Sequence, residues 1–259
     1  MGERFGWLPF RIPKTKPGGI WLNAVSVGEI ASAVPLLEEL RRRLPGTPVF
    51  VSTTTLAGRA LAEQRLPALG DGIFYAPIDY PFAIRAVLRR LKPGLLLNLE
   101  TELWPNTLRE AKLSGMMVAQ VNARISDKAW PKYQRASWFF SSVLGHIDFL
   151  APQSTRDQER FFALGYRGPV ELLGNLKFDF RPNDRQAPAE VVAWLKQQSE
   201  ELPLWIAAST MPPAHEGDFD EDDAVIAAQQ CLNARLLLVP RKPERFDAAA
   251  ANLAAAGIA

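Results

Sequence analysis

Cysteine is almost missing from this chain. Cys231 stands alone among 259 residues, so no internal disulfide can form, and a reducing compartment fits. Histidine is nearly as scarce. His146 and His215 lie far apart in sequence, which argues against a histidine-based metal cluster. No apolar run reaches the ~20 residues of a membrane-spanning helix, and residues 1–19 lack the apolar stretch of a signal peptide. An excess of one charge is absent too: 30 Lys and Arg face 28 Asp and Glu, a net charge of +2. A dedicated nucleic-acid binder carries a clustered basic face, so no nucleic-acid partner is expected. No G-x-G-x-x-G follows an apolar run, which removes the dinucleotide fingerprint.

What is present is a core-forming composition, 47% hydrophobic, with a repeated design. Leu95-Leu-Leu-Asn-Leu-Glu-Thr-Glu-Leu-Trp-Pro105 begins as an apolar run suited to a strand buried on both faces. It places Glu100 and Glu102 just before a new helix at Trp104-Pro105. Ile20-Trp-Leu-Asn-Ala-Val-Ser-Val-Gly-Glu29 repeats the design, with Gly28 in the loop and Glu29 opening a helix. In a parallel sheet both tips lie on one edge, where open α/β sheets carry their chemistry.

Along the chain, apolar strands alternate with helical patterns. Strands are expected at 20–25, 49–53, 73–76, 95–99, 116–121, 149–151 and 170–173. Helices are expected at 29–43, with a kink at Pro35, and at 56–65, 80–91, 105–113, 132–147 and 155–164. Arg41, Arg42 and Arg43 suit a helix C-terminus, and Ser154 suits an N-cap. Phe139, Phe140, Val143, Leu144 and Ile147 share one face of the helix over 132–147 and read as core. Residues 1–19 are basic, with Trp7 and Phe10 among Arg4, Arg11, Lys14 and Lys16; they read as a surface arm, with a membrane-touching arm as the alternative. The alternation implies an α/β fold with a doubly wound parallel sheet.

The polar, proline-bearing stretch from Gly174 to Pro188 reads as a domain boundary. It divides residues 1–185 from 186–259. Beyond it, two strands and three helices follow, at 188–198, 204–208, 220–232, 236–240 and 243–256. Two strands do not make a doubly wound domain, so this second, Rossmann-like domain reads as incomplete. Asp218-Phe-Asp220 invites a metal reading, but it precedes a helix, where acidic capping is the better one.

Five motifs then occur in order: Ala24-Val-Ser-Val-Gly-Glu29, Glu100-Thr-Glu-Leu-Trp-Pro105, Asn122-Ala-Arg124, Gly174-Asn-Leu-Lys-Phe-Asp179 and Pro240-Arg-Lys-Pro-Glu-Arg-Phe246. Together they resemble the Kdo (3-deoxy-D-manno-octulosonic acid) transferases of lipopolysaccharide synthesis. The resemblance implies a GT-B fold of two Rossmann-like domains. It implies transfer of Kdo from CMP-Kdo to a lipid A precursor, peripheral association with the membrane, and a place at the cytoplasmic face of the inner membrane. It implies no cofactor or metal beyond the donor substrate. Three departures accompany it. The family's donor-binding second half and its membrane-embedded N-terminal segment are not recognisable here, and the segment after Ser209-Thr210 is longer. A non-catalytic or split-gene fragment that keeps only the acceptor-side fold is therefore the alternative, and the chain alone is expected neither to bind CMP nor to transfer Kdo.

Glu29 falls on the family's catalytic base. Two readings of it stand from the residues: a base for an acceptor hydroxyl, or a helix N-terminal stabiliser. The helix dipole would lower its pKa, and a neighbouring carboxylate would raise it. Glu100 and Glu102 read as that neighbour, as acceptor contacts, or as caps of the next helix. Asn122, Arg124 and Lys128 are acceptor-side candidates, the cations either meeting phosphates or lying in a solvated loop. By resemblance Ser209, Thr210 and Arg241 belong to the donor side. Lys177, at the hinge, joins the donor side or is structural.

Overall fold

A computed structural model describes residues 2–9, 12, 16–179, 188–213, 215 and 217–258. The chain divides into two compact units, Met1–Arg181 and Pro182–Ala259. The expected boundary after residue 185 falls outside the described residues, as do Phe10, Arg11 and Lys14 of the basic arm.

In the first unit the elements are β1 (Gly19–Asn23), α1 (Val27–Arg43), β2 (Val49–Thr53), α2 (Leu56–Arg65), β3 (Gly72–Tyr75), α3 (Pro81–Leu91) and β4 (Pro93–Leu99). They continue as α4 (Pro105–Leu113), β5 (Met117–Ala123), α5 (Trp130–Arg135), α6 (Ser137–Leu144), β6 (Phe149–Pro152) and α7 (Thr155–Ala163). Six parallel strands lie in the order β3-β2-β1-β4-β5-β6. β1 and β2 are buried along their whole length, as strands covered on both faces must be. Trp21, Phe50, Leu96 and Val118 belong to one core, with α3, α4 and α6. Ile20, Leu22, Val49 and Val51 turn to the other, with α1 and α2. The chain winds outward from β1 to β3 and then returns to place β4 beside β1. The order reverses between β1 and β4, and in open α/β sheets ligands bind at such a switch point, outside the C-terminal ends of the strands.

The second unit holds α8 (Ala189–Gln198), β7 (Leu204–Thr210), α9 (Glu221–Gln230), β8 (Arg235–Pro240) and α10 (Phe246–Ala255). β7 and β8 pair in parallel. Asp220 caps α9 and accepts from the Asp222 N–H, and among the described residues no three or more His, Cys, Asp or Glu side chains cluster as a metal site would need.

Several sequence expectations are corrected. The helix assigned to 132–147 breaks at Ala136, whose φ of −108° and ψ of 26° leave the helical region. The break leaves Phe139 37% exposed, whereas Val143 and Leu144 remain in the core. The expected strand at 170–173 is reduced to one bridge, Leu150 to Val170. Leu172 and Leu173 are exposed, so that edge has no face to bury. α1 begins at Val27 rather than Glu29 and runs as one element through Pro35. The N-terminal segment is docked rather than loose: Glu3 pairs with Arg59 and accepts the Tyr75 N–H, and Ile12 is fully buried. Gly6, at φ +86°, lies so close to α3 that a Cβ would meet the Ala83 carbonyl at 2.5 Å.

The N-terminus of α4 is capped from a distance. Trp104 provides no side-chain cap. Asp79 instead accepts from the Asn106 N–H at 3.0 Å, the Thr107 N–H at 2.7 Å and the Thr107 hydroxyl at 2.8 Å. Removing these charge-assisted bonds in Asp79→Ala is expected to lower stability by about 2 kcal/mol, read as a reduced urea midpoint at unchanged m-value. An unchanged midpoint would show that water replaces the cap without cost.

Candidate active site

The two strand tips predicted to share an edge are neighbours at the switch point, β1 leading to Glu29 and β4 to Glu100 and Glu102. Ser26 caps α1 by accepting the Glu29 N–H at 3.3 Å. Glu29 reaches back and accepts the Val25 N–H at 2.5 Å. This reciprocal arrangement is a variant of the capping box. It fixes the carboxylate where the chain turns from strand to helix, and it leaves Glu29 buried.

Burial is the main electrostatic fact about Glu29. Its pKa is pushed up to about 7, first by removal from water; the Val25 N–H works against this, and the charges of Glu102 and Glu100 add to it. The lowering expected from the helix N-terminus is thus outweighed. Glu102 is also held above the ordinary carboxylate range, by burial and by Glu100, although the Trp104 indole N–H donates to it. Tyr133 is raised as well, by burial and then by Glu102. Burial thus raises Glu29 and Glu102 together, and each also feels the charge of a neighbouring glutamate.

Glu100 is placed differently. It is buried and takes the left-handed conformation at φ +53°, which costs a non-glycine residue roughly 1 kcal/mol or more. Its carboxylate accepts from Arg124 Nε at 2.9 Å and lies 3.8 Å from Lys177 Nζ. With Asp79 capping α4, neither Glu100 nor Glu102 is needed as a cap, and that reading is set aside.

The structure therefore gathers Glu29, Glu100, Glu102, Arg124 and Lys177 in the first unit. Asn122 is close by but buried, at φ +55°. It accepts the Leu176 N–H at 3.1 Å and so holds the Gly174–Asp179 segment on the sheet edge. Lys128 is exposed in the loop before α5. Ser209, Thr210 and Arg241 lie in the second unit at the tips of β7 and β8. Ser209 is left-handed at φ +65°, and the Thr210 carbonyl accepts the Arg241 N–H at 3.0 Å.

Sequence reasoning missed a buried polar row beneath this site. Asn23, Ser52, Asn98 and Gln120 pair across β2, β1, β4 and β5, and all are 4% exposed or less. A readable signal exists. Trp21-Leu-Asn23, Phe50-Val-Ser52, Leu96-Leu-Asn98 and Val118-Ala-Gln120 each switch from apolar to polar at one height.

Comparison with known proteins gives concordant results. The family described as 3-deoxy-D-manno-octulosonic-acid transferase (kdotransferase) matches residues 1–180. A 3-deoxy-D-manno-octulosonic acid transferase of Haemophilus influenzae is 33% identical over 96% of this chain and 58% of its own length. That of Bordetella pertussis is 33% identical over 99% of this chain and 60% of its own. The chain thus spans about 60% of the length of these relatives. In fold it is similar to a UDP-GlcNAc 2-epimerase of Neisseria meningitidis, with a TM-score of 0.62 at 12% identity over 92% of this chain and 69% of that one. HepE of Anabaena, in complex with UDP and glucose, gives 0.55 at 11% identity over 93% of this chain and 67% of that one. The α/β fold of GT-B type follows from these likenesses together with the six-stranded parallel sheet.

Glu29 makes stability depend on pH in a stated direction. Its folded-state pKa, about 7, lies above the ordinary carboxylate value of 4.5, so folding favours the protonated form. The stability from that proton is complete below the unfolded value and is lost as pH rises through about 7. Glu29→Gln keeps an acceptor for the Val25 N–H without the charge. It is expected to match wild type at pH 4 and to be about 2 kcal/mol more stable at pH 8, measured by urea unfolding. Equal stability at both pH values would mean that Glu29 is not buried as described.

Proposed function

Because this chain belongs to the 3-deoxy-D-manno-octulosonic acid transferase family, we propose that it is the acceptor-side part of a glycosyltransferase that moves Kdo from CMP-Kdo to a lipid A precursor. In this reading Glu29 is the general base. It removes the proton from the acceptor hydroxyl while that oxygen bonds to the anomeric carbon of Kdo. The bond from that carbon to the CMP phosphate breaks on the opposite side, CMP leaves with the electron pair, and the anomeric configuration inverts. A base with a pKa of about 7 is matched to neutral pH. The carrying observation is the buried Glu29 at the switch point, with Glu100 and Glu102 near enough to add to its pKa.

Arg124 is spent on Glu100, so it orders the carboxylate cluster as well as offering charge to an acceptor phosphate. Lys128, Lys132 and Arg135 are the exposed cations on the adjoining surface. Donor binding is assigned to Ser209, Thr210 and Arg241 by their strand-tip placement, and the chemistry calls for no cofactor. Among the described residues no helix is long and apolar enough to cross a membrane. The exposed Trp7 and Trp138, together with those exposed cations, support peripheral association with the cytoplasmic face of the inner membrane.

In a transfer assay with labelled CMP-Kdo and lipid A precursor, run on this chain joined to a complete donor-binding half, Glu29→Gln is expected to reduce the rate about 10²–10⁴-fold, and the rate without the substitution to rise as pH increases through about 7. Turnover by the variant equal to wild type would remove Glu29 from the mechanism. Co-sedimentation with vesicles rich in anionic lipid should decline as salt is raised. Binding that ignores salt, or none at low salt, would oppose the peripheral reading.

A further inference from the structure

The polar row beneath the carboxylates has a direction. The Trp21 indole N–H donates to Ser52 Oγ at 2.8 Å. An indole nitrogen can only donate, so the Ser52 hydroxyl must accept there. Its one proton then goes to Asn23 Oδ1 at 2.8 Å. This turns the Asn23 NH₂ toward Asn98 Oδ1, at 2.9 Å. The Asn98 NH₂ in turn faces Gln120 Oε1 at 2.8 Å and also donates to the Glu102 carbonyl. The Gln120 NH₂ ends the series on the Glu100 carbonyl at 2.7 Å. Flipping any one amide would set donor against donor and acceptor against acceptor. One indole therefore fixes the orientation of every amide after it.

Both terminal acceptors belong to the turn that carries Glu100 and Glu102. That turn needs holding, because Glu100 sits at φ +53°, in a region where side chains are strained. Its N–H is tied to the Val121 carbonyl at 3.0 Å, and its carbonyl is tied only by Gln120 among the hydrogen bonds described. A buried polar row is costly to a sheet unless every member is satisfied, and apolar residues would pack these four positions without that risk. The row therefore has a task that packing alone does not require.

We propose that Asn23, Asn98 and Gln120 are positioning residues, a one-way relay anchored by Trp21 and Ser52 that holds the Glu100–Glu102 turn and so sets the spacing of its carboxylates from Glu29. The inference rests on the reading of Glu29 as the base, since only then does that spacing bear on the reaction. The relay acts through the turn and touches no substrate. Hydrogen bonds in series polarise one another, so loss of the first donor is felt at the last.

The test is NMR on this chain, with labelled side-chain amides and glutamate carboxyls. Gln120→Met removes the last donor at similar volume. Glu29 is then expected to titrate at least half a pH unit lower, because the released turn admits water and carries Glu102 away. Trp21→Phe keeps an aromatic ring in the core and removes only the first donor. The Gln120 side-chain amide is expected to exchange with solvent at least tenfold faster. Ser154→Ala, which removes the cap of α7 and none of the row's hydrogen bonds, should lower stability and move neither signal. An unmoved Glu29 titration in a folded Gln120→Met, or unchanged Gln120 exchange in Trp21→Phe, would overturn the relay. Trp21→Phe decides the matter if Gln120→Met does not fold. Failure of the base reading is seen separately: Glu29→Gln in the chain joined to a complete donor-binding half would then transfer Kdo at the rate of the unsubstituted protein, while the Gln120→Met and Trp21→Phe signals behave as described.

Discussion

The first unit depends on a change of chemistry within two residues across four strands. The row Trp21, Phe50, Leu96 and Val118 is apolar and belongs to the core. The next row on the same face is Ser52, Asn23, Asn98 and Gln120, buried just as deeply. Below the line the sheet is held by exclusion of water; above it, by directed hydrogen bonds. Such a border can exist only if the strands are in register, since a one-residue slip would turn the amides to the opposite face. Register, core and the height of the carboxylates are thus one constraint.

That constraint places three glutamates in two electrostatic situations. Glu100 has cations on it, Arg124 and Lys177. Among the described residues no cation pairs with Glu29 or Glu102, and burial raises both. The three glutamates therefore do different work: Glu100 is a paired charge that orders the loops, while Glu29, pushed up to about 7, can exchange a proton near neutral pH, and Glu102 is raised in the same direction. The pairing cations come from loops distant in sequence, one after β5 and one before the second unit.

The parallel fold was legible because strands buried on both faces read as apolar runs, and the loops between them are short. The pairing of the Glu29 tip with the Glu100 tip followed from edge logic alone. Other features were hidden. Asp79 caps a helix that starts 26 residues further on, and nothing local announces it. The break at Ala136 lies inside an apolar pattern that suits one long helix, so periodicity could not reveal it. The edge segment around Val170 has strand-like residues but a single partner. The amide row was hidden because each strand alone shows one polar residue in an apolar run, and the pattern appears only when the strands are set side by side.

The conformation of Glu100 carries a consequence for how this sequence can drift. A left-handed residue followed by a turn is a natural place for glycine or asparagine, and either would relax the backbone at φ +53°. Selection for thermal tolerance alone would remove the glutamate. It would also dissolve the attachment of Arg124 and Lys177, leaving two loops without the charge that gathers them. The glutamate therefore marks a position where a laboratory evolution screened only on heat would drift away from the carboxylate cluster. A library built on this chain should keep that codon fixed.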